Sequence, residues 1–193
     1  EANKFYGFTS AETLKIAQSL YEKHKLITYP RTESKHLPTE FAKSIHKQLQ
    51  AISTLETYKE VASTILQDSA KISSIVHNKK YVDDKKLTDH HAITVTDQKI
   101  GKKNLTEAEL KIYHLVVKRL LSIYLPAYEV DKTAVVIKSG SELFKANGQV
   151  VIAEGYTALY KKYAKKEDKT LPPLAIGQSL PVKQVNILNK VTE

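Results

Sequence analysis

The chain has 193 residues, 41% of them hydrophobic, which is enough to bury a sizeable core in one domain or to divide between two small ones. Its 30 lysines and arginines against 21 acidic residues leave a net charge of +9, which suits a polyanion or an acidic membrane surface and leaves the choice between them to motifs. The absence of cysteine excludes a disulfide framework, a thiolate zinc site and a cysteine nucleophile, and there is no apolar run of the roughly eighteen residues that a membrane helix requires.

The opening Glu1-Ala2-Asn3-Lys4 is neither a signal peptide nor preceded by an initiator Met, so the sequence reads as an internal piece of a longer chain. Thr9-Ser10-Ala11-Glu12 has the form of a capping box, and Leu14, Ala17, Leu20 and Tyr21 follow at helical spacing, predicting a helix from about residue 10 to Lys23. Leu26 to Tyr29 favour extended backbone, and Pro30 ends any regular element, which puts Tyr29 at a helix-to-loop junction. Pro38 opens a second helical pattern through Phe41, Ile45, Leu49 and Ile52, and Tyr58 to Leu66 repeats it. Residues 67 to 104 are polar and lysine-rich and read as connections, the place where loops facing a polyanion are expected.

Leu105 to Glu109 supply another capping box, and Leu110, Tyr113, Val117, Leu120, Leu121 and Tyr124 predict a helix that stops before Pro126. Beyond Pro126 the period changes to two. Val130 to Val136 alternate, Ser139-Gly140 turns, Leu143 to Ala146 leads into Asn147-Gly148, and Gln149 to Ala153 and Ser179 to Leu188 are further strand candidates. A lysine-rich stretch and Leu171-Pro172-Pro173-Leu174 separate those last two. The reading is of a mixed α and β chain, helical over 1–125 and β-rich over 126–193.

Only two of the basic residues are arginines, Arg31 and Arg119. Arg31 lies in Ile27-Thr28-Tyr29-Pro30-Arg31-Thr32-Glu33-Ser34, a turn that gathers a phenol, a guanidinium, hydroxyls and a carboxylate. A phenol titrates near about 10, so a tyrosine nucleophile needs a cation beside it, and arginine also binds phosphate oxygens bidentately. Thr32 and Ser34 can donate to neighbouring phosphates, and Glu33 can orient Arg31 or handle a proton. The same residues also fit a plainer arrangement, a packed aromatic followed by a surface ion pair.

Leu26 to Ser34, followed by Leu37, resembles the active-site signature of the type IA DNA topoisomerases, and most of all that of the topoisomerase III branch. Asp89-His90-His91-Ala92-Ile93 is similar to that branch's paired-histidine motif, Tyr113 to Arg119 to a family helix with an arginine near its end, and Leu171 to Leu174 to a segment before the last strand. Glu33, where aspartate is common, and Val95, where proline is common, depart from the pattern.

The resemblance implies that Tyr29 attacks a backbone phosphorus, keeps the 5′ phosphate and releases a 3′ hydroxyl, with Arg31 stabilising the transferring group. It implies DNA contacts from Thr32, Glu33, Ser34, His90, His91 and Arg119, and a helical tyrosine domain followed by part of a β-rich gate, or hinge, domain. It further implies single-stranded DNA as substrate and a partner in an N-terminal acidic domain of the same parent chain. That domain would hold Mg2+, with no metal site in this segment and no relaxation by the segment alone. A cytoplasmic, nucleoid-associated bacterial setting goes with it.

Two other classes fit parts of the sequence. A non-enzymatic helical DNA-binding module of helix-turn-helix type matches charge and helices but leaves Tyr29, Arg31 and His90 unexplained. A hydrolase using His90 and His91 lacks a metal or carboxylate partner at suitable spacing, and zinc lacks both cysteines and a helical His-x-x-x-His.

Overall fold

The computed structural model describes residues 1–163, 170–187 and 189, with side chains of the first stretch described through 160. Part of the lysine-rich stretch after Tyr163, and Leu188 at the end of the last strand candidate, lie outside the described residues. The chain separates into two compact units, Glu1–Glu129 with Ile152–Lys166, and Val130–Val151 with Glu167–Glu193.

The first unit is helical. Helix α1 (Ala2–Tyr6) is followed by α2 (Ser10–Glu22), whose start carries the expected reciprocal cap: the Glu12 backbone N–H donates to Thr9 Oγ1 at 3.2 Å while Glu12 Oε2 accepts from the Thr9 N–H at 2.8 Å. The helical pattern after Pro38 divides into α3 (Thr39–Lys43) and α4 (His46–Ile52). No glycine or proline breaks it. The Ser44 N–H and hydroxyl both turn back to the Phe41 carbonyl, tightening the chain at that point, and the kink lets Ile45, Leu49 and Ile52 all reach full burial.

A short 3-10 turn, Glu56–Tyr58, leads into α5 (Lys59–Gln67). The stretch expected to be connections holds more structure than its composition suggests. It contains α6 (Ser69–Ser74), capped by the Asp68 carboxylate at the Lys71 N–H, and 3-10 turns at Ile75–His77 and Asp84–Lys86. Ile75 and Val82, both buried, anchor it to the core, an apolar signal too sparse to register in a lysine-rich window. Helix α7 (Glu107–Ser122) repeats the reciprocal cap through Thr106 and Glu109 and ends short of Pro126, as its pattern predicts.

The core draws on every part of this unit. Leu20, Leu26, Ile45, Leu49, Ile52, Val82, Val95, Val117 and Leu121 are completely buried. At ~1.5–3 kcal/mol for each large aliphatic side chain removed from water, they dominate its cohesion. The 3-10 segment Gly155–Tyr163 returns to the same unit: the Tyr156 N–H bonds the Pro126 carbonyl at 2.9 Å, and Tyr160 packs on Phe5 with ring centroids 6.2 Å apart. Gly155 is required there. Its φ is +49°, and a Cβ would fall 2.1 Å from the Ala127 carbonyl oxygen.

In the second unit, β1 (Glu129–Ser139) and β2 (Glu142–Ala153) pair as a two-stranded antiparallel sheet that turns at Gly140, φ +63°. The Asn147-Gly148 dipeptide is not a turn. Strand β2 runs straight through it, because an eleven-residue β1 needs a partner of matching length and the reversal has already been made at Gly140. Residues 179–187 form neither helix nor strand among the described residues, which corrects the last strand candidate. Alternating apolar residues make a strand only when a neighbouring edge accepts the ladder, and among the described residues the sheet contains β1 and β2 alone.

Candidate active site

The segment carrying Tyr29 is held from both ends. After α2 the chain reverses at Lys25, a non-glycine residue at φ +58°, and the Leu26 N–H returns to the Leu20 carbonyl at 2.9 Å. Leu26 and Ile27 then enter the core, and Ile27 pairs antiparallel with Val95. The Thr28 N–H bonds the Thr94 carbonyl at 2.8 Å, and the Thr96 N–H bonds the Leu26 carbonyl at 3.0 Å. Tyr29 therefore emerges from a small extended bridge, with Pro30 buried behind it, and not directly from a helix end.

This pairing brings the two sequence motifs together. The Tyr29 ring lies 4.2 Å from the His90 ring, centroid to centroid, tilted by 36°, and its other neighbour is Tyr21, edge-on at 5.5 Å. The His90 carbonyl accepts from two hydroxyls, Thr32 Oγ1 at 3.1 Å and Thr88 Oγ1 at 3.2 Å, so the backbone under the imidazole is fixed from both sides. An open cleft of about 460 Å³ is lined by Arg31, Thr32, Glu33, Thr88, Asp89 and His90. Tyr29 borders it through His90 and is not one of its lining residues. Arg31, Glu33, Asp89 and His90 are exposed, and Tyr29 is half-buried. Among the described residues Arg31 makes no ion pair, so the plainer arrangement of a surface salt bridge does not account for it.

Thr32 and Ser34 behave differently from their expected role as phosphate donors. The Thr32 hydroxyl donates to His90 and accepts from the Ser34 N–H at 3.0 Å, while Ser34 Oγ accepts from the His36 N–H at 3.2 Å. Both side chains shape the loop. His91 faces away from the cleft, with its ring against Phe41 at 5.4 Å and its Nδ1 at 2.8 Å from the Ala92 carbonyl. The chain bends at Asp89 and His90, and the two imidazoles have different ring neighbours, Tyr29 for His90 and Phe41 for His91. Arg119, on α7, lines a separate depression with Lys35 and does not line the Tyr29 cleft.

Thr88, Asp89 and Tyr21 are further members of the site that residue type alone does not mark. Asp89 stands in the histidine motif and Thr88 immediately before it, so adjacency to His90 was the available signal. Tyr21 was masked by its helical spacing, which reads as core.

Behind the tyrosine segment lies a buried polar latch. Glu109 Oε1 accepts from Ser19 Oγ at 2.6 Å and sits 3.2 Å from His24 Nε2, while Oε2 accepts from the Thr106 N–H and hydroxyl at 2.8 and 3.0 Å. Burial works to raise the Glu109 carboxyl, but the Ser19 and Thr106 donors, with His24 alongside, outweigh it and hold the group at about 2. The latch ties Ser19 of α2, and His24 one residue before the reversal at Lys25, to the start of α7.

Among the described residues no group of three or more His, Cys, Asp or Glu is placed to hold a metal ion, and no helix is long and apolar enough to cross a membrane.

The arrangement of a tyrosine, an arginine and a histidine on paired segments defines a candidate phosphoryl-transfer site, and comparison identifies the class. A family model described as DNA topoisomerase matches residues 1–193, and the chain belongs to that family, of type IA. It is 36% identical to DNA topoisomerase 3 of Bacillus licheniformis over 96% of this chain and 25% of that protein. The identity is also 36% to DNA topoisomerase 3 of Bacillus subtilis, over 95% and 25%, and to that of Bacillus thuringiensis, over 96% and 26%. The chain thus spans about a quarter of the length of these curated relatives. Membership does not favour the non-enzymatic module.

Proposed function

We propose that this chain is the tyrosine-bearing part of a type IA topoisomerase of the topoisomerase III kind, which cuts and reseals one strand of single-stranded DNA through a 5′-phosphotyrosine. The observation that carries the reading is the 4.2 Å contact between Tyr29 and His90, with Arg31 on the wall of the same cleft as His90.

Tyr29 Oη attacks phosphorus, a phosphotyrosine bond forms, and the bond to the 3′ oxygen breaks, that oxygen leaving as a hydroxyl once it gains a proton. Arg31 neutralises the non-bridging oxygens as charge builds, and its rigid fork suits a tetrahedral phosphoryl group. An imidazolium at His90 favours the anion at the same place, and Glu33, on the cleft rim, orients Arg31 or relays the phenolic proton. Thr32, Ser34 and His91 act by positioning: the first two set the loop, and the last pins the His90 segment from behind. The reverse attack by the 3′ hydroxyl restores the diester. No net bond energy is lost, so no nucleotide triphosphate is consumed.

No step above passes through a metal. We assign Mg2+, as the sequence resemblance implies, to an acidic N-terminal domain elsewhere in a longer polypeptide that meets this surface. Residues 1–125 are assigned to the tyrosine domain and 126–193 to part of a β-rich hinge that lets it lift. A cytoplasmic setting on the nucleoid completes the reading.

The test is covalent trapping. The full-length protein is mixed with end-labelled single-stranded DNA and magnesium, quenched with detergent, and digested for peptide mapping. A DNA-linked peptide centred on Tyr29, lost in Tyr29→Phe, is the expected result. Tight DNA binding with no adduct, or an adduct on another tyrosine, would overturn the assignment.

A further inference from the structure

Among the described residues Lys25 is the one non-glycine with a positive φ, +58°, and it stands four residues before Tyr29. An L side chain resists that conformation, so the fold has to hold the backbone in it. Both carbonyls flanking the reversal are gripped by side chains from beyond the histidine motif. Lys103 Nζ donates to the His24 carbonyl at 2.6 Å, and Thr96 Oγ1 donates to the Lys25 carbonyl at 2.6 Å. The His24 imidazole is in turn 3.2 Å from Glu109 Oε1, and the His24 and Leu26 N–H groups close back onto the Ser19 and Leu20 carbonyls.

What this clamp fixes is one side of the Tyr29 ring. The bridge of Ile27 with Val95 sets the tyrosine segment against the His90 segment, while the reversal sets it against α2. Tyr21 of α2 meets Tyr29 edge-on at 5.5 Å, and Lys25 Nζ lies 5.6 Å over the Tyr21 ring, so a change of backbone at Lys25 is felt on the face of the phenol that His90 does not cover. Within the clamp Lys103 has no other task. It is half-buried, it does not line the Tyr29 cleft, and among the described residues it is in no ion pair. An ammonium group kept for a polyanion stays in water and faces it, whereas this one is spent on a backbone carbonyl.

We infer that Lys103 is a positioning residue for Tyr29: by holding the His24 carbonyl it keeps Lys25 left-handed, and so keeps the phenol between Tyr21 and His90. This rests on the reading of Tyr29 given above. It makes the rate of cutting depend on a residue that touches neither the tyrosine nor the strand.

The experiment is single-turnover adduct formation by the full-length protein on saturating end-labelled single-stranded DNA, with affinity measured by fluorescence anisotropy on the same variants. Circular dichroism fixes a temperature at which each is folded. Lys103→Met keeps the bulk of the side chain and removes the donor. It is expected to slow the adduct at least about tenfold and to leave affinity within about twofold, since a misplacement of ~1 Å at an attacking atom costs up to about a hundredfold. Lys103→Gln, which retains N–H donors, should recover part of the rate. Glycine adopts the left-handed conformation without penalty, so when Lys25→Gly is already present Lys103→Met should slow the adduct by less than about twofold. An equal loss in both backgrounds overturns the inference, as does an unchanged rate in Lys103→Met. Weaker binding with a shallower salt dependence, in place of a slower adduct, overturns it too and makes Lys103 a contact to the strand. In each of those cases the Tyr29 adduct still forms and the reading of the cleft stands. No adduct in the unaltered protein sinks that reading and this inference with it.

Discussion

Replacing Glu109 by alanine removes a buried carboxylate that joins two helices, and the cost can be worked from its contacts. Oε1 accepts from Ser19 at 2.6 Å, and Oε2 accepts from the N–H and hydroxyl of Thr106 at 2.8 and 3.0 Å. Hydrogen bonds to a charged acceptor contribute ~1.5–3 kcal/mol each, but the Thr106 groups lie at a helix end where water can replace the carboxylate. Counting the Ser19 bond fully and the Thr106 pair as one lost cap of ~1 kcal/mol gives a total of about 2.5–4 kcal/mol. The vacated site also leaves His24, 5% exposed, without its acid partner. In a chain of this length that is a fall in Tm of roughly 5–15 °C, read by circular dichroism on heating, with urea titration for the free energy. A loss below ~1 kcal/mol would refute the reasoning, because it would mean that water serves Ser19 and His24 as well as Glu109 does. The pair supplies an internal check. If burial of an unpaired group is the main cost, Glu109→Leu with His24→Leu will be more stable than Glu109→Leu alone.

Acid should act through the same carboxylate. Its folded-state value of about 2 lies below the ordinary 4.5, so its contribution is complete above about pH 4.5 and is lost as pH falls toward 2. Glu109→Gln should therefore show a shallower decline in stability over that window, by urea titration at stepped pH. Gly155→Ala forces a Cβ against the Ala127 carbonyl at a left-handed φ, and should cost at least ~1 kcal/mol and expose the 155–163 segment to hydrogen exchange. Thr32→Val deletes one of the two donors to the His90 carbonyl, and should cost roughly 0.5–1.5 kcal/mol in stability while speeding amide exchange at Ala92, the neighbour whose own N–H is held by His36. Arg31→Ala should slow adduct formation about 10²–10³-fold with the fold unchanged, since Arg31 is exposed and outside the core; a slowing under fivefold counts against its role.

Much of the helical unit was legible because its signals are local. Both capping boxes were found where their residue types stood, and each ties its helix start as the pattern requires. The split at Ser44 was not legible, since serine at a kink looks like serine on a helix surface. Nor was the structure within 67–104, whose anchors, Ile75 and Val82, are isolated apolar residues that only tertiary contact makes meaningful. Asn147-Gly148 misled for the opposite reason: a strong local turn signal yielded to a longer strand. At the site, Tyr29, Arg31 and His90 were identified by type and resemblance. The sequence could not reveal that Thr32 and Ser34 spend their hydroxyls inside the loop, or that His91 faces Phe41. Those facts depend on which way an extended segment leaves its bridge, and that is set by residues more than sixty positions away.

The bridge between Ile27 and Val95 also says something about how the chain can change over time. The Tyr29 segment and the His90 segment meet directly, and nearly everything between them is a detour that leaves and returns at Leu37 and Val82. Lengthening such a detour is cheap, since doubling a closed loop costs only ~0.6 kcal/mol in chain entropy. The exposed turn at Lys79 and Lys80, just before the return at Val82, carries no core residue. New sequence can therefore be added there, or old sequence trimmed, without displacing Tyr29, Arg31 or His90. The proposed site is in this respect a splice point: what lies between the two motifs can change in length while the same three side chains stay where the bridge puts them.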